Sequence, residues 1–279
     1  GRYNFALNTA GRHIKELKAM LSAAEEDGCI VPQIYHKFKV MTEELDTTYL
    51  TEEEQEMLYQ VDLSKFSKQD IVEKLMEYKK NYGDMDIEKY LNGKIKSLKL
   101  ERLPLYRDAM IVLCRTAQRI SDLKKIKPTK GCNRISFHQQ KTRKKIMLPI
   151  HSMVHKVFQR YDYNLEFKFA PQEFNDYIKI VCMLAGIDSE FEQQITIGGK
   201  KVLKNLPKFM LITSHCGRRS FCTNEYLKRG NDSLPIPLIM SVSGHTTERA
   251  DTQFVHKMGS SYLIAKGIFK PLAPAKTTF

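Results

Sequence analysis

Apolar residues recur at helical spacing along most of the chain. In the first such stretch they lie three or four positions apart, at Ile14, Leu17, Leu21 and Ala24. This stripe predicts an amphipathic helix that ends near Gly28. Thr51 and Glu54 have the spacing of a capping box, which predicts the start of another helix. Residues 101–117 form a strongly apolar stretch and predict a helix at the centre of the core.

A period of two replaces the helical period in two places. Residues 134–138 and 146–150 flank a basic turn at residues 141–145, and this pattern predicts a β-hairpin. Residues 194–202, with two adjacent glycines at their centre, are a second hairpin candidate. Further helices are predicted over residues 152–161, 171–185, 214–228, 237–243 and 247–257. The whole pattern predicts an α+β fold, mainly α with a small antiparallel β-sheet.

The chain is strongly basic. Its net charge is +13 and its isoelectric point is near 9.3. Residues 1–48 carry six basic and seven acidic side chains, so the positive excess belongs to the rest of the chain. Such an excess is typical of proteins that bind nucleic acid. A solubilising surface, or weak attraction to any polyanion, would produce the same charge, so composition alone leaves DNA binding open.

Composition also bears on location and redox state. The mean hydropathy is −0.41, and no apolar run reaches the about 18 residues of a membrane helix. With no secretory leader in the sequence, we expect a cytoplasmic protein. The six cysteines form no C-x-x-C pair, and we expect reduced core thiols with neither a zinc site nor disulfides.

The motif SHCGRRSF contains the strongest candidate chemistry. His215 and Arg218 are three residues apart just after a polar helix start, so we expect them to face the same way from the first helical turn. A helix N-terminus favours an anion, and a guanidinium adds forked contacts to phosphate oxygens. The arrangement is the outline of a phosphodiester site.

Together with Arg119 in TAQRISDL and His245 in SGHTTERADTQF, these residues resemble the tyrosine recombinase family of phage and transposon integrases and Xer-type resolvases. The family pattern is an Arg at the end of a buried helix, a Lys in a hairpin turn, H-x-x-R, a Gly-His, and a Tyr nine residues after that His. Five residues occupy the first positions in order, 22, 74, 3 and 27 residues apart: Arg119, Lys141, His215, Arg218 and His245.

The resemblance implies a domain organisation. Residues 49–279 would be the family's catalytic domain with a C-terminal tail, and residues 1–48 the C-terminal part of a helical core-binding domain plus a linker. Because the chain starts at Gly1 without Met, we expect that a preceding part is missing. The implied partners are double-stranded DNA at recombination or attachment sites and further copies of the chain, assembled on DNA through the tail.

Phe254 stands at the position of the nucleophilic tyrosine. A phenyl ring has no oxygen to attack phosphorus, so we expect this chain to bind and position DNA without cutting it. Tyr226 and Tyr262 are the nearest other tyrosines, and neither has the expected spacing. The single change in an otherwise complete set favours an engineered replacement over a naturally inactive relative.

The resemblance also implies the role of each residue, without cofactor or metal. Arg119 and Arg218 would stabilise charge on the phosphate, and Lys141 would protonate the departing 5′-oxygen. His215 would be the general base toward the tyrosine, and His245 a hydrogen-bond donor to the phosphoryl oxygens. The remaining basic candidates, expected to contact DNA, are Arg143, Lys144, Lys145 and Arg219.

Three functions fit this pattern. The first is a site-specific recombinase or mobile-element integrase in a cleavage-deficient form. The second is a DNA-binding scaffold of a recombination complex without catalysis of its own. The third is an enzyme like type IB topoisomerases, which share the same set of catalytic residue types.

Overall fold

The structure, a computed structural model, describes residues 5–43, 47–82, 95, 97–228 and 234–244. The helices in these parts are α1 (Leu7–Glu26), α2 (Glu52–Gln60), α3 (Lys68–Tyr82), α4 (Leu103–Thr116), α5 (Ser152–Gln159), α6 (Pro171–Leu184), α7 (Ser214–Leu227) and α8 (Ile236–Ser243). The strands are β1 (Arg134–His138), β2 (Lys145–Pro149), β3 (Glu190–Ile197) and β4 (Lys200–Pro207). The helix predicted over residues 247–257 lies outside the described residues.

The chain forms two compact units. The first combines Gly1–Asp46 with Phe191–Leu206, and the second combines Thr47–Glu190 with Pro207–Phe279. The second hairpin is therefore packed with the N-terminal segment, although it lies in the middle of the second unit's sequence. The functional domains 1–48 and 49–279 stay a prediction.

The first unit contains α1, a short 3-10 helix at Gln33–Lys37 and the second hairpin, and hydrogen bonds join its N-terminal segment to that hairpin. The carboxylate of Glu43 accepts from the backbone N–H of Thr196, at 3.0 and 3.1 Å to its two oxygens. The N–H of Gly198 donates to the carbonyl of Phe5 at 3.2 Å. These bonds satisfy polar groups of the hairpin that a single sheet of two strands leaves exposed.

The core of the second unit is built around α4. This helix is buried over most of its length and packs against α2, α5, α6 and α7. Ten of its 14 residues are buried, which is the pattern of a helix surrounded by protein. The predicted central helix is confirmed. The predicted capping box is also present at the start of α2, where Thr51 Oγ1 accepts from the N–H of Glu54 at 3.2 Å.

The two predicted hairpins are confirmed. Strands β1 and β2 are antiparallel, with Arg134 opposite Pro149 and His138 opposite Lys145. On β2 the side chains of Ile146 and Leu148 are buried and their neighbours are exposed, as an alternating strand on a core requires. This hairpin carries the basic turn, residues 141–145, at the surface of the second unit.

The cysteines are free thiols, but the expectation that all lie in the core is wrong for two of them. Cys29 is exposed and Cys132 is half-buried, whereas the other four are buried. Both exceptions lie in irregular segments outside the helices and strands, each directly after a turn. Burial raises the pKa of the Cys114 thiol to about 12, and it also raises the pKa of Cys182, so both stay protonated.

Candidate active site

Arg119 lies just beyond the end of α4 rather than within it. The helix stops at Thr116 because Ala117 adopts a left-handed conformation with φ of 57°. Gln118 follows, fully buried, and Arg119 then precedes a short 3-10 helix at Ile120–Lys125. The half-buried Arg119 guanidinium donates through NH1 to Gln139 Oε1 at 3.3 Å. Arg119 is predicted at the end of a buried helix, and it lies three residues after the last residue of α4, separated from it by Ala117 and Gln118.

Lys141 lies in the exposed turn between β1 and β2. The turn is closed by backbone bonds from Gln139 N to the carbonyl of Lys144 and from Arg143 N to the carbonyl of Gln139, both 3.0 Å long. Arg143 adopts φ of 56°, which completes the reversal. Lys141, Arg143, Lys144 and Lys145 are all exposed. Four cationic side chains can therefore reach a partner from this turn.

A buried carboxylate on a neighbouring segment holds the same turn in place. Asp122, in the 3-10 helix after Arg119, is fully buried, and its Oδ1 accepts from the N–H of Gln140 at 2.7 Å. Lys125 Nζ lies 3.0 Å from the same oxygen. The backbone next to Lys141 is thus tied to the segment that carries Arg119.

His215 lies in the first turn of α7 and Arg218 directly follows that turn, but they differ in environment. His215 is exposed, whereas Arg218 is 1% exposed. Gly217 permits this burial, because a Cβ there would lie 2.6 Å from Leu113 Cβ on α4. The close approach of the two helices brings Arg218 NH1 to the carbonyls of Ala117, at 3.1 Å, and of Ser243. The two side chains therefore differ in burial, and the expectation that they face the same way stays a prediction.

Arg219 points into its own unit. Its NH1 donates to the carbonyl of Thr48 at 2.8 Å, and burial lowers the pKa of its guanidinium. Through this hydrogen bond Arg219 connects α7 to the segment before α2. Its predicted contact with DNA has no support from this geometry.

Two buried glutamines, which no sequence motif singles out, connect these residues. Gln118 Nε2 donates to the carbonyls of Thr116 and Val242, both at 2.7 Å. Gln139 Nε2 donates to Gln118 Oε1 at 2.8 Å and to the carbonyl of Ser243 at 3.1 Å. The one signal that could have found them in the sequence is their proximity to candidate residues, since Gln118 directly precedes Arg119 and Gln139 lies two residues before Lys141.

The structure therefore brings together four of the six predicted catalytic positions to different degrees. Arg119 and Arg218 contact one network of buried amides and carbonyls. Lys141 lies on a turn attached to that network, and His215 lies at the exposed start of the helix that carries Arg218. His245 and Phe254 lie outside the described residues. The arrangement places the half-buried guanidinium of Arg119 next to a turn of exposed cationic side chains, which suits a phosphate group, while the guanidinium of Arg218 is held in the core behind it by backbone carbonyls.

The described residues contain neither a metal centre nor a membrane-spanning helix. In this part of the chain no group of three or more His, Cys, Asp or Glu side chains is placed to hold a metal ion. Over the same residues, none of the helices combines the length and apolar character needed to cross a membrane.

Comparison with known proteins identifies the fold. No family model matches this sequence, and no curated protein is similar to it in sequence. A lambda integrase dimer bound to a COC′ core site, solved as a fragment, matches with a TM-score of 0.57 and 14% identity, over 91% of this chain and 75% of that one.

A second lambda integrase dimer on the same kind of core site gives a TM-score of 0.56 at 14% identity, over 97% of this chain and 63% of that one. The chain thus spans less than two thirds of this longer integrase. At such identities the likeness concerns the fold. The chain has the fold predicted from its sequence, that of a tyrosine recombinase catalytic domain, mainly α with a small antiparallel sheet.

Proposed function

We propose that this chain is a site-specific DNA recombinase of the mobile-element integrase type, and that Phe254 leaves it able to bind DNA but not to cleave it. The observation that carries the proposal is the shared network that holds Arg119 and Arg218 next to the basic turn of Lys141. A phosphodiester needs such donors at its non-bridging oxygens and a proton donor at its leaving oxygen.

The two arginines suit stabilisation of the transition state. Charge accumulates on the non-bridging oxygens as the fifth ligand approaches phosphorus, and pre-oriented donors lower its energy without reorganising. Each such donor is worth about 2.7–4 kcal/mol. Arg218 is buried and held by two backbone carbonyls, so the orientation of its guanidinium plane is set before DNA arrives.

The remaining steps exchange the ligands of phosphorus and transfer protons. In the tyrosine form of the protein, the phenolic oxygen at position 254 forms a bond to phosphorus while the bond from phosphorus to the 5′-oxygen breaks. His215 takes the phenolic proton and Lys141 supplies a proton to the 5′-oxygen. His245 donates to a phosphoryl oxygen. The products are a 3′-phosphotyrosyl link and a free 5′-hydroxyl, which can attack a partner strand in the reverse reaction.

DNA binding is supported by the surface of the second unit. Lys141, Arg143, Lys144 and Lys145 are exposed together on one turn. The two lambda integrase structures with this fold are dimers bound to a core site. By analogy, we propose that copies of this chain assemble on double-stranded DNA through the C-terminal tail, residues 255–269. These residues lie outside the described part of the chain.

Phe254 itself favours a second candidate, a DNA-binding scaffold that never had cleavage activity. Both candidates predict DNA binding by the chain as it stands. They differ in what Phe254→Tyr should do. The change should restore DNA cleavage in a disabled recombinase, but not in a scaffold, because the other catalytic groups of a scaffold would not be aligned with a phosphate.

The test uses a pool of nicked suicide duplexes with randomised core sequences. The chain and its Phe254→Tyr variant are incubated with the pool, and covalent protein–DNA complexes are isolated under denaturing conditions and sequenced. We expect a covalent band with Phe254→Tyr alone, enriched for one core sequence. Phe254→Tyr combined with Arg218→Lys serves as the catalytic control and should lose the band. DNA binding without any covalent product in Phe254→Tyr would support the scaffold instead.

A further inference from the structure

We propose that Gln139 is a positioning residue for the candidate active site. Its side-chain amide fixes the relative positions of three segments, which contain Arg119, the turn of Lys141 and the end of α8. The catalytic consequence rests on the proposed function, whereas the positioning itself stands on contacts alone. Gln139 is 1% exposed and lies at the end of β1, two residues before Lys141.

The amide of Gln139 uses its full hydrogen-bonding capacity. Its Nε2 donates to Gln118 Oε1 at 2.8 Å and to the carbonyl of Ser243 at 3.1 Å. Its Oε1 accepts from Thr142 Oγ1 at 2.8 Å and from Arg119 NH1 at 3.3 Å. A primary amide has two donors and two acceptor sites, so every one is occupied.

These bonds lead to different parts of the site. The bond to Arg119 sets a guanidinium that the proposed function places on the phosphate. The bond to Thr142 fixes the residue that comes directly after Lys141 in the turn. The bond to Ser243 holds the last residue of α8, two positions before His245 in the sequence. A buried group that satisfies all its partners specifies their arrangement.

Gly244 shows how closely this amide is enclosed. It adopts φ of 73°, and a Cβ at that position would lie 2.3 Å from Gln139 Oε1 and 2.7 Å from Nε2. The backbone of Gly244 therefore lies directly against the amide. A shift of the amide would have to move this backbone, which directly precedes His245 in the sequence.

No other side chain of similar size supplies the same set of bonds. A carboxylate at position 139 lacks both N–H donors, and its charge would pair with the Arg119 guanidinium instead of leaving it for phosphate. A methionine fills the volume but offers none of the four bonds, and it leaves buried partners unsatisfied. Gln139→Met therefore removes all four bonds without adding a charge, whereas Gln139→Glu removes the two donor bonds and adds a charge.

Gln55 is the matched control. It is a buried glutamine of the same unit, also 1% exposed, and its Nε2 donates to the carbonyl of Leu50 at 3.0 Å. It contacts none of the candidate active-site residues in the bonds described. Gln55→Met thus reports the cost of burying a methionine in place of an amide, without touching the site.

The first experiment compares these variants in the Phe254→Tyr background, on the duplex selected by the suicide pool. We expect Gln139→Met to lower the rate of covalent complex formation at saturating DNA about 100-fold, the scale of a displacement of about 1 Å in a catalytic group. The Kd for DNA should stay within about threefold, and Gln55→Met should react at the parent rate. A Gln139→Met variant that reacts at the parent rate, or whose loss lies only in Kd, overturns the proposal.

The second experiment needs no cleavage and uses the chain as it is, with Phe254. Amide hydrogen exchange is compared between the parent, Gln139→Met and Gln55→Met. We expect faster exchange in Gln139→Met at both residues 140–145 and residues 242–244, with neither segment changed in Gln55→Met. Unchanged exchange at either segment in Gln139→Met overturns the positioning role. If exchange rises at both while Phe254→Tyr forms no covalent complex, the positioning role is supported and the proposed function is the part that fails.

Discussion

The guanidinium of Arg218 donates to the carbonyl of Ser243, 25 residues further along the chain. The same carbonyl accepts from Gln139 Nε2 at 3.1 Å. A charged donor and a neutral amide thus converge on one backbone oxygen at the end of α8. The orientation of Arg218 is consequently coupled to the segment that leads into His245, and not only to its own helix.

Gly244 should not tolerate a side chain. Its φ of 73° disfavours any other residue, and a Cβ would lie 2.3 Å from Gln139 Oε1. We expect Gly244→Ala to lower the free energy of unfolding by about 3 kcal/mol, combining left-handed strain with overpacking. Chemical denaturation followed by circular dichroism measures the change.

Gly131 provides the comparison for this variant. It has a similar φ of 76° in the same unit, but nothing lies within 4 Å of a Cβ built there. Gly131→Ala should therefore cost only the left-handed strain, about 1 kcal/mol. Equal losses in the two alanine variants would show that the contact with Gln139 contributes nothing.

The basic turn should contribute to DNA affinity by neutralising phosphates. Arg143 and Lys144 are exposed beside Lys141, where they can approach the DNA backbone. Replacing both by alanine should reduce the slope of log Kd against log salt concentration by about 0.9 for each phosphate that is no longer neutralised. Fluorescence anisotropy with a labelled duplex over a salt series measures the slope.

Lys65 is the control for this experiment. It is 76% exposed and pairs with Asp62 in a different part of the second unit. Lys65→Ala removes the same kind of charge and should leave the slope unchanged. A slope that falls equally in Lys65→Ala would indicate a general effect of net charge instead of contacts at the turn.

Asp108 should be essential for stability, because it is a fully buried carboxylate with three partners. Its Oδ1 lies 2.9 Å from Arg107 Nε and 2.8 Å from Arg160 NH1, and its Oδ2 accepts from Tyr161 OH at 2.8 Å. Asp108→Asn would remove the buried negative charge that pairs with the largely buried Arg107 and the partly exposed Arg160, and should cost about 3 kcal/mol. Urea unfolding monitored by fluorescence measures this loss.

An exposed carboxylate should behave differently. Glu166 pairs with Lys127 and Lys168 while 49% exposed, and solvent weakens such pairs. Glu166→Gln should change the free energy of unfolding by less than about 1 kcal/mol. A comparable loss in both variants would mean that burial is not what makes Asp108 important.

His151 should make stability decrease at mildly acidic pH. Its Nδ1 accepts from the N–H of Met153 at 3.1 Å as the N-cap of α5, and burial, followed by the charges of Arg115 and Lys228, lowers its pKa. Below its ordinary pKa the unfolded chain binds a proton that the folded chain resists, so stability falls as the pH falls through that range. The effect should be shallow, since the side chain is only partly buried.

Replacement of His151 by asparagine tests this assignment. Asparagine is a good N-cap but does not titrate, so His151→Asn should keep the helix start and reduce the loss of Tm that the parent shows on mild acidification. Thermal unfolding at several pH values measures the difference between variant and parent. The same pH dependence in both proteins would assign the effect to another group.

The local elements of this fold follow from the sequence. The capping box of Thr51, the central helix α4 and both hairpins lie where the periodicity and turn residues predict them. These features depend on interactions between residues a few positions apart, and such interactions are visible in a linear pattern. The predicted places of Lys141, in a hairpin turn, and of Arg218, near the start of a helix, follow from the same local signals.

Only the tertiary structure decided which of these residues meet. Gln139 bonds to Ser243 from 104 positions away, and Arg218 bonds to Ala117 from 101 positions away. The fold also directs NH1 of Arg219 to the carbonyl of Thr48, from 171 positions away, while its DNA contact stays a prediction. Periodicity shows that a helical face is buried, but it does not identify what covers that face. Hydrogen bonds between buried polar groups depend on which elements pack together, and that is determined by the whole fold.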